Sequence, residues 1–382
     1  CVRKIKWNTE KAVDDVIKIP NYLIYYEFEA FVLNSFFIYV KLMVHIKWGN
    51  YMNNLKGIHH VTAITSDAKK IYEFFTYTLG LRLVKKTVNQ DDIQTYHLFF
   101  ADDKGSPGTD MTFFDFKGVS KGKEGTNSIS RTSFRVPSDL ALNYWLKRFQ
   151  MYDVKHQDIQ TLFGKNVIYF EDFDGQKYAL FSDENDHGIN SGTPWQKGPV
   201  PNEYAITGLE PIYLNTSDES YMQQVLVDML FMRKIEQQDN LTLYEMGNGG
   251  NGASVIVKNT KDMDYGTQGY GSVHHVAFRI EDLDELYEWV DHLDQLGARH
   301  SGYVDRFYFK SLYTRLHPGI LFEFATEGPG FIDDEEDYEI LGETLALPPR
   351  FRNQRAYVES VIKPIDTKRS DKTFEKEYLK EK

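Results

Sequence analysis

The chain has 382 residues, 41% of them hydrophobic and 15% aromatic, with a formal net charge of −12 at pH 7. That length allows two domains or one domain of duplicated modules, and an acidic balance without a basic stripe argues against a nucleic-acid partner. The one cysteine is Cys1, which excludes disulfides, Cys-ligated metals and a cysteine nucleophile in the body of the chain, and fits a cytoplasmic protein.

Residues 31–40 form an apolar run, but Asn34 interrupts it and Lys41 follows it. It is too short for a membrane span, and no small-residue cleavage site marks a secretory signal. No membrane partner is expected. Trp48-Gly49 can be encoded only by TGG-GGN, a G-rich run just before the codon for Met52 that resembles a bacterial ribosome-binding site. The expectation is that the natural chain begins at Met52 and that residues 1–51 are a non-native or disordered leader.

A repeat follows. Its first copy predicts a strand over 58–64, a helix over 67–79 with Asp67 as N-cap and Gly80 as the residue after its end, then strands over 81–88, 96–101 and 110–116. The second copy predicts a strand over 129–136, a helix over 138–149 and strands over 159–163, 167–171 and 178–181. The third reads as a strand over 206–214, a helix over 217–230 and strands over 235–238, 242–245 and 253–257. The fourth has a strand over 274–280, a helix over 283–296 closed by Gly297, and strands ending with 321–325. Each copy reads β-α-β-β-β, a curved sheet with one helix that cannot bury its own inner face. The expected class is therefore α+β, with four βαβββ modules paired into two open barrels. Modules one and two occupy 52–200, modules three and four 201–330, and a tail 331–382. In the tail a helix is expected over 353–362, and the charge alternation of 367–382 predicts a frayed or solvated end.

Two of the opening strands carry the chemistry. Gly57-Ile58-His59-His60-Val61 and Gly271-Ser272-Val273-His274-His275-Val276 each place a His-His pair in an apolar strand, and Leu321-Phe322-Glu323-Phe324 places one carboxylate in another. Two imidazoles and a carboxylate are the ligand set of a mononuclear non-haem Fe(II) site. Adjacent strand residues point to opposite faces, so one His of each pair faces a shared pocket. Spacing does not choose between them; the expectation is His60 and His275, joined by Glu323. This requires modules one and four to share one barrel and modules two and three the other. Gly108 lies four residues before Thr112, as Gly319 lies four before Glu323, so Thr112 takes the pseudo-symmetric fourth ligand position. A threonine is a poor ligand, which leaves three protein donors and open positions. His317 reads as a turn residue before Pro318-Gly319, and His97, His156, His187, His292 and His300 as surface residues.

From about residue 55 to 330 the chain resembles the vicinal-oxygen-chelate superfamily, and within it the dioxygenases that open hydroquinone rings. The resemblance implies metal ligands at His60, His275 and Glu323, and further site residues at His59, His274, Thr62, Arg306 and Tyr313. It implies Fe(II) as cofactor, a small aromatic substrate and O2 as partners, and a role in quinone and hydroquinone detoxification. Homo-oligomerisation is left open. The rival reading is a metal-dependent glyoxalase-type isomerase or lyase, which commonly uses four protein ligands; Thr112 argues against it.

Overall fold

Module one runs β1 (Ile58–Ile64), α1 (Ala68–Glu73), β2 (Arg82–Asn89), β3 (Asp92–Ala101) and β4 (Asp110–Phe114). Module two runs β5 (Ser128–Val136), α2 (Asp139–Met151), β6 (Gln160–Leu162), β7 (Lys165–Glu171) and β8 (Lys177–Ser182). Module three has β9 (Gly208–Thr216), α3 (Glu219–Gln223), β10 (Arg233–Gln238), β11 (Leu241–Glu245) and β12 (Ser254–Asn259). Module four has β13 (Ser272–Ile280), α4 (Leu283–Gln295), β14 (His300–Asp305), β15 (Phe309–His317) and β16 (Ile320–Pro329), and α5 (Arg355–Val361) follows in the tail. This computed structural model describes residues 54–379 except 186 and 334; the expected leader and start at Met52 lie outside the described residues.

The α+β expectation holds in detail. One eight-stranded sheet has the order β14-β15-β16-β13-β1-β4-β3-β2, and the other β10-β11-β12-β9-β5-β8-β7-β6. Modules one and four therefore form one half-barrel, joined where β1 pairs antiparallel with β13. Modules two and three form the other through β5 and β9.

Local chemistry explains the helices. Asp67 accepts from the amides of Lys69 and Lys70, and Ser138, Asp218 and Asp282 cap the other three module helices. The predicted first and third helices are not α-helical throughout. After α1 the chain widens into a π turn over Phe74–Thr78, and after α3 into another over Gln224–Met229. The first carries Phe75 into a cluster with Phe100, Phe113 and Phe134, which bridges the two sheets. Side-chain periodicity does not distinguish such a turn from a regular helix.

The tail overturns one expectation. Thr367 and Arg369, read as solvated, are buried. They cover β2, which is an edge strand and would otherwise present open backbone groups. Lys86 donates to Thr367 Oγ1 at 2.8 Å, Ala346 N to Lys86 O at 3.0 Å, and Arg369 to the carbonyls of Leu83 and Leu341. Buried Lys85 meets buried Glu336 at 2.8 Å. Arg369, read as part of a solvated charge pattern, is in fact a donor to that edge.

Candidate metal centre

β1, β13 and β16 lie side by side, so the two histidine strands and the glutamate strand are neighbours. His60 Nε2 lies 3.2 Å and His275 Nε2 2.9 Å from Glu323 Oε2, and the two Nε2 atoms are 3.3 Å apart. All three side chains are buried. With metal–ligand bonds of about 2.1 Å, three donors on one face of an octahedron are about 3.0 Å apart. The observed edges match that triangle. Glu323 Oε1 accepts from Ser311 at 2.5 Å, whereas Oε2, aimed into the triangle, finds no hydrogen-bond donor among the described residues. An orphaned buried carboxylate oxygen is costly, and a cation compensates it. The donor set fits a divalent metal ion.

The first histidine of each pair does not point away as strand alternation predicts. In the β1–β13 ladder Ile58 and His60 face Phe278 and Ala277, so His59 is the extra residue of a bulge. Thr62 and Ala63 face His275 and Val273, which makes His274 the extra residue of a second bulge. The bulges bring His59 Nδ1 to 3.0 Å from His60 Nδ1, and His274 Nδ1 to 2.8 Å from His275 Nδ1.

That contact sets a tautomer. His59 Nε2 lies 3.1 Å from the Thr326 carbonyl, which can only accept, so His59 carries its proton on Nε2. Its Nδ1 is then an acceptor, and His60 Nδ1 must donate to it. His60 Nε2 is left as a bare lone pair facing Glu323. Burial, with His60 beside it, lowers the His59 pKa to about 3, so His59 is neutral. Burial likewise lowers His274 to about 3 and pulls His275 down.

Thr112 sits where the glycine register put it. β1 and β4 pair Thr62 with Thr112 as β13 and β16 pair Ala277 with Glu323. Thr62 Oγ1 is 2.7 Å from Thr112 Oγ1 and 3.0 Å from His275 Nε2. A cavity of about 360 Å³ opens beside the triangle, lined by Phe99, Phe114, Phe116, Phe309, Arg306 and Tyr313 among others. Arg306 Nε donates to Tyr313 Oη at 3.0 Å, and its Nη2 is 3.0 Å from Asp91 Oδ2; Asp305 instead pairs with Lys310. Burial alone would lower the Arg306 pKa, but Tyr313 and Asp91 raise it, and burial pushes the Tyr313 hydroxyl up.

Two site residues escape the sequence reading. His97, read as a surface residue, lines this cavity, packs tilted against Phe99 with ring centroids 3.9 Å apart, and meets Thr112 Oγ1 at 2.9 Å. Burial holds its pKa well below the ordinary value. Alternation was the missed signal, because His97 and Phe99 are two apart on β3 and share its inner face. Ser311 is the other, and nothing in its local sequence marks it. His317 ends β15, as its turn position suggests.

The sequence matches the Glyoxalase/Bleomycin resistance protein/Dioxygenase superfamily over residues 57–327. The chain belongs to that superfamily. Among its members, a Bacillus subtilis (strain 168) protein named "Putative ring-cleaving dioxygenase MhqA" is 41% identical over 316 residues, covering 81% of this chain and 99% of the relative. The "Chlorohydroquinone/hydroquinone 1,2-dioxygenase" of Sphingobium indicum is 31% identical over 307 residues, covering 78% of this chain and 92% of its own. A Bacillus subtilis crystal structure described as a putative dioxygenase superposes with a TM-score of 0.76 at 31% identity, over 83% of this chain and 99% of that one. Maize glyoxalase I shares the superfamily fold with a TM-score of 0.52 at 15% identity. Among the described residues no helix is long and apolar enough to cross a membrane.

Proposed function

We propose that this protein is an Fe(II)-dependent dioxygenase that opens the ring of hydroquinone-type substrates with O2, in quinone and hydroquinone detoxification. The observation that carries the reading is the buried triangle of His60, His275 and Glu323 beside an aromatic-walled cavity. The names of the relatives support ring cleavage and the substrate type. Fe(II), when bound, supplies the electron exchange between O2 and the ring that a protein side chain cannot.

The remaining work falls to the chain. Phe99, Phe114 and Phe309 exclude water and hold a ring. Arg306 and Tyr313, already joined by a hydrogen bond, present donors to a developing phenolate oxygen. His59 holds His60 in its metal-binding tautomer, His274 meets His275 through the same pair of ring nitrogens, and both are neutral bases that can pass a proton. Thr62 and Thr112 fill the fourth-ligand side with hydroxyls rather than a second carboxylate, which disfavours the isomerase reading.

Anaerobic loading with Fe(II), then methylhydroquinone and air, tests the proposal by oxygen electrode. The expected result is uptake of one O2 per ring, both atoms entering the product. No uptake with any dihydroxybenzene, together with turnover of a thiol-bound aldehyde, would replace this reading with the glyoxalase-type one.

A further inference from the structure

The cavity mouth is built by a turn that the ligand set does not involve. Between β2 and β3, Asn89, Gln90, Asp91 and Asp92 all face the opening. Asp91 takes the Nη2 edge of Arg306 at 3.0 Å, while Gln90 Nε2 donates to the Arg306 carbonyl at 2.6 Å. From outside, Arg350 of the tail donates to Gln90 Oε1 at 2.6 Å. The turn that carries Arg306 is itself under strain. Phe307 has φ +70°, a left-handed conformation that a bulky aromatic rarely adopts, and its amide is held by Asp305 Oδ1 at 2.8 Å. The two turns thus meet at Arg306.

We propose that Asp91 is the specificity residue of this site, and that it selects hydroquinones with uncharged ring substituents against those carrying a carboxylate. The inference rests on the functional reading above and narrows its substrate class. Arg306 gives Nε to Tyr313 and Nη2 to Asp91, so Asp91 already balances the guanidinium charge that a ring carboxylate would need. A carboxylated ring would also pass Asp91 and Asp92, two like charges at the entrance. A ring with neutral substituents meets neither obstacle. Asp92 differs from its neighbour: its carboxylate is tied to Thr95 Oγ1 at 2.7 Å within its own hairpin.

The test compares methylhydroquinone with 2,5-dihydroxybenzoate in the Fe(II)-loaded wild type, Asp91→Asn and Asp92→Asn. Asp91→Asn is expected to raise the kcat/KM ratio of the carboxylated to the neutral substrate about tenfold or more, chiefly through KM. Asp92→Asn should move it by less than about threefold, since it removes the same charge without freeing Arg306. Equilibrium dialysis of 2,5-dihydroxybenzoate against the metal-free proteins should show the same order of affinities. An unmoved ratio in Asp91→Asn, or an equal rise in Asp92→Asn, overturns the assignment. If no variant consumes oxygen with either ring, the dioxygenase reading fails, and dialysis alone still decides whether Asp91 excludes the carboxylate.

Discussion

The two half-barrels share a topology and differ in what fills them. In the first, β1 and β13 set Thr62 opposite His275, and small hydroxyl side chains leave room for a cavity beside three donors that could hold a metal. In the second, β5 and β9 set Arg131 opposite Tyr213. There the Arg131 guanidinium lies 4.3 Å over Tyr169 and 5.5 Å over Tyr213, and Leu162, Phe181 and Ile256 close the interior. Among the described residues, the only cluster that could hold a metal is in the first barrel. The difference teaches that the scaffold confers a concave face and no chemistry. Side-chain volume at a few inward positions decides whether that face becomes a site or a core.

The sharpest way to break the contrast is Glu323→Gln, which removes the charge that distinguishes the first barrel. Metal affinity should fall at least about a hundredfold and oxygen uptake further still, measured by metal titration and oxygen electrode. The metal-free variant should melt no lower than metal-free wild type, because an orphaned buried carboxylate has been neutralised. Tyr213→Ala attacks the other side. Emptying the second barrel should cost about 3–5 kcal/mol in urea denaturation while leaving the metal stoichiometry unchanged. Next in size is His59→Ala, which frees His60 to change tautomer and should weaken metal binding about 10–100-fold.

The last prediction concerns pH dependence. Buried His59 and His274 have pKa values lowered to about 3 from 6.5, so the unfolded chain binds more protons than the folded one across that window. Stability of the metal-free protein should rise with pH between about 3 and 6.5 and level off above it. Denaturant midpoints taken at several pH values check this, and His59→Ala should flatten the slope.

Much of this was legible in the chain. Four copies of one strand–helix pattern gave the class, and the requirement that His60, His275 and Glu323 converge gave the pairing of module one with module four. Counting from Gly108 and Gly319 placed Thr112 correctly, because both glycines sit at positive φ in the turn before the paired strand. What escaped was whatever depends on broken periodicity or on partners distant in sequence. A bulge places His59 beside His60 against strand alternation, and a π turn hides inside an ordinary helical pattern. The burial of Arg369 and Thr367 depends on the edge of β2, which lies nearly the whole chain away.

The β1–β13 seam also sets an order of events at the ribosome. Modules two and three can pair as soon as the third emerges, but His60 waits for a partner 215 residues downstream. At 5–20 residues per second that delay is on the order of ten to forty seconds. Throughout it, the buried strand Ile58–Ile64 lacks the neighbour that will cover it. Nascent module one therefore waits longest for its partner strand, and a metal ion could be held by all three donors only once Glu323 has emerged.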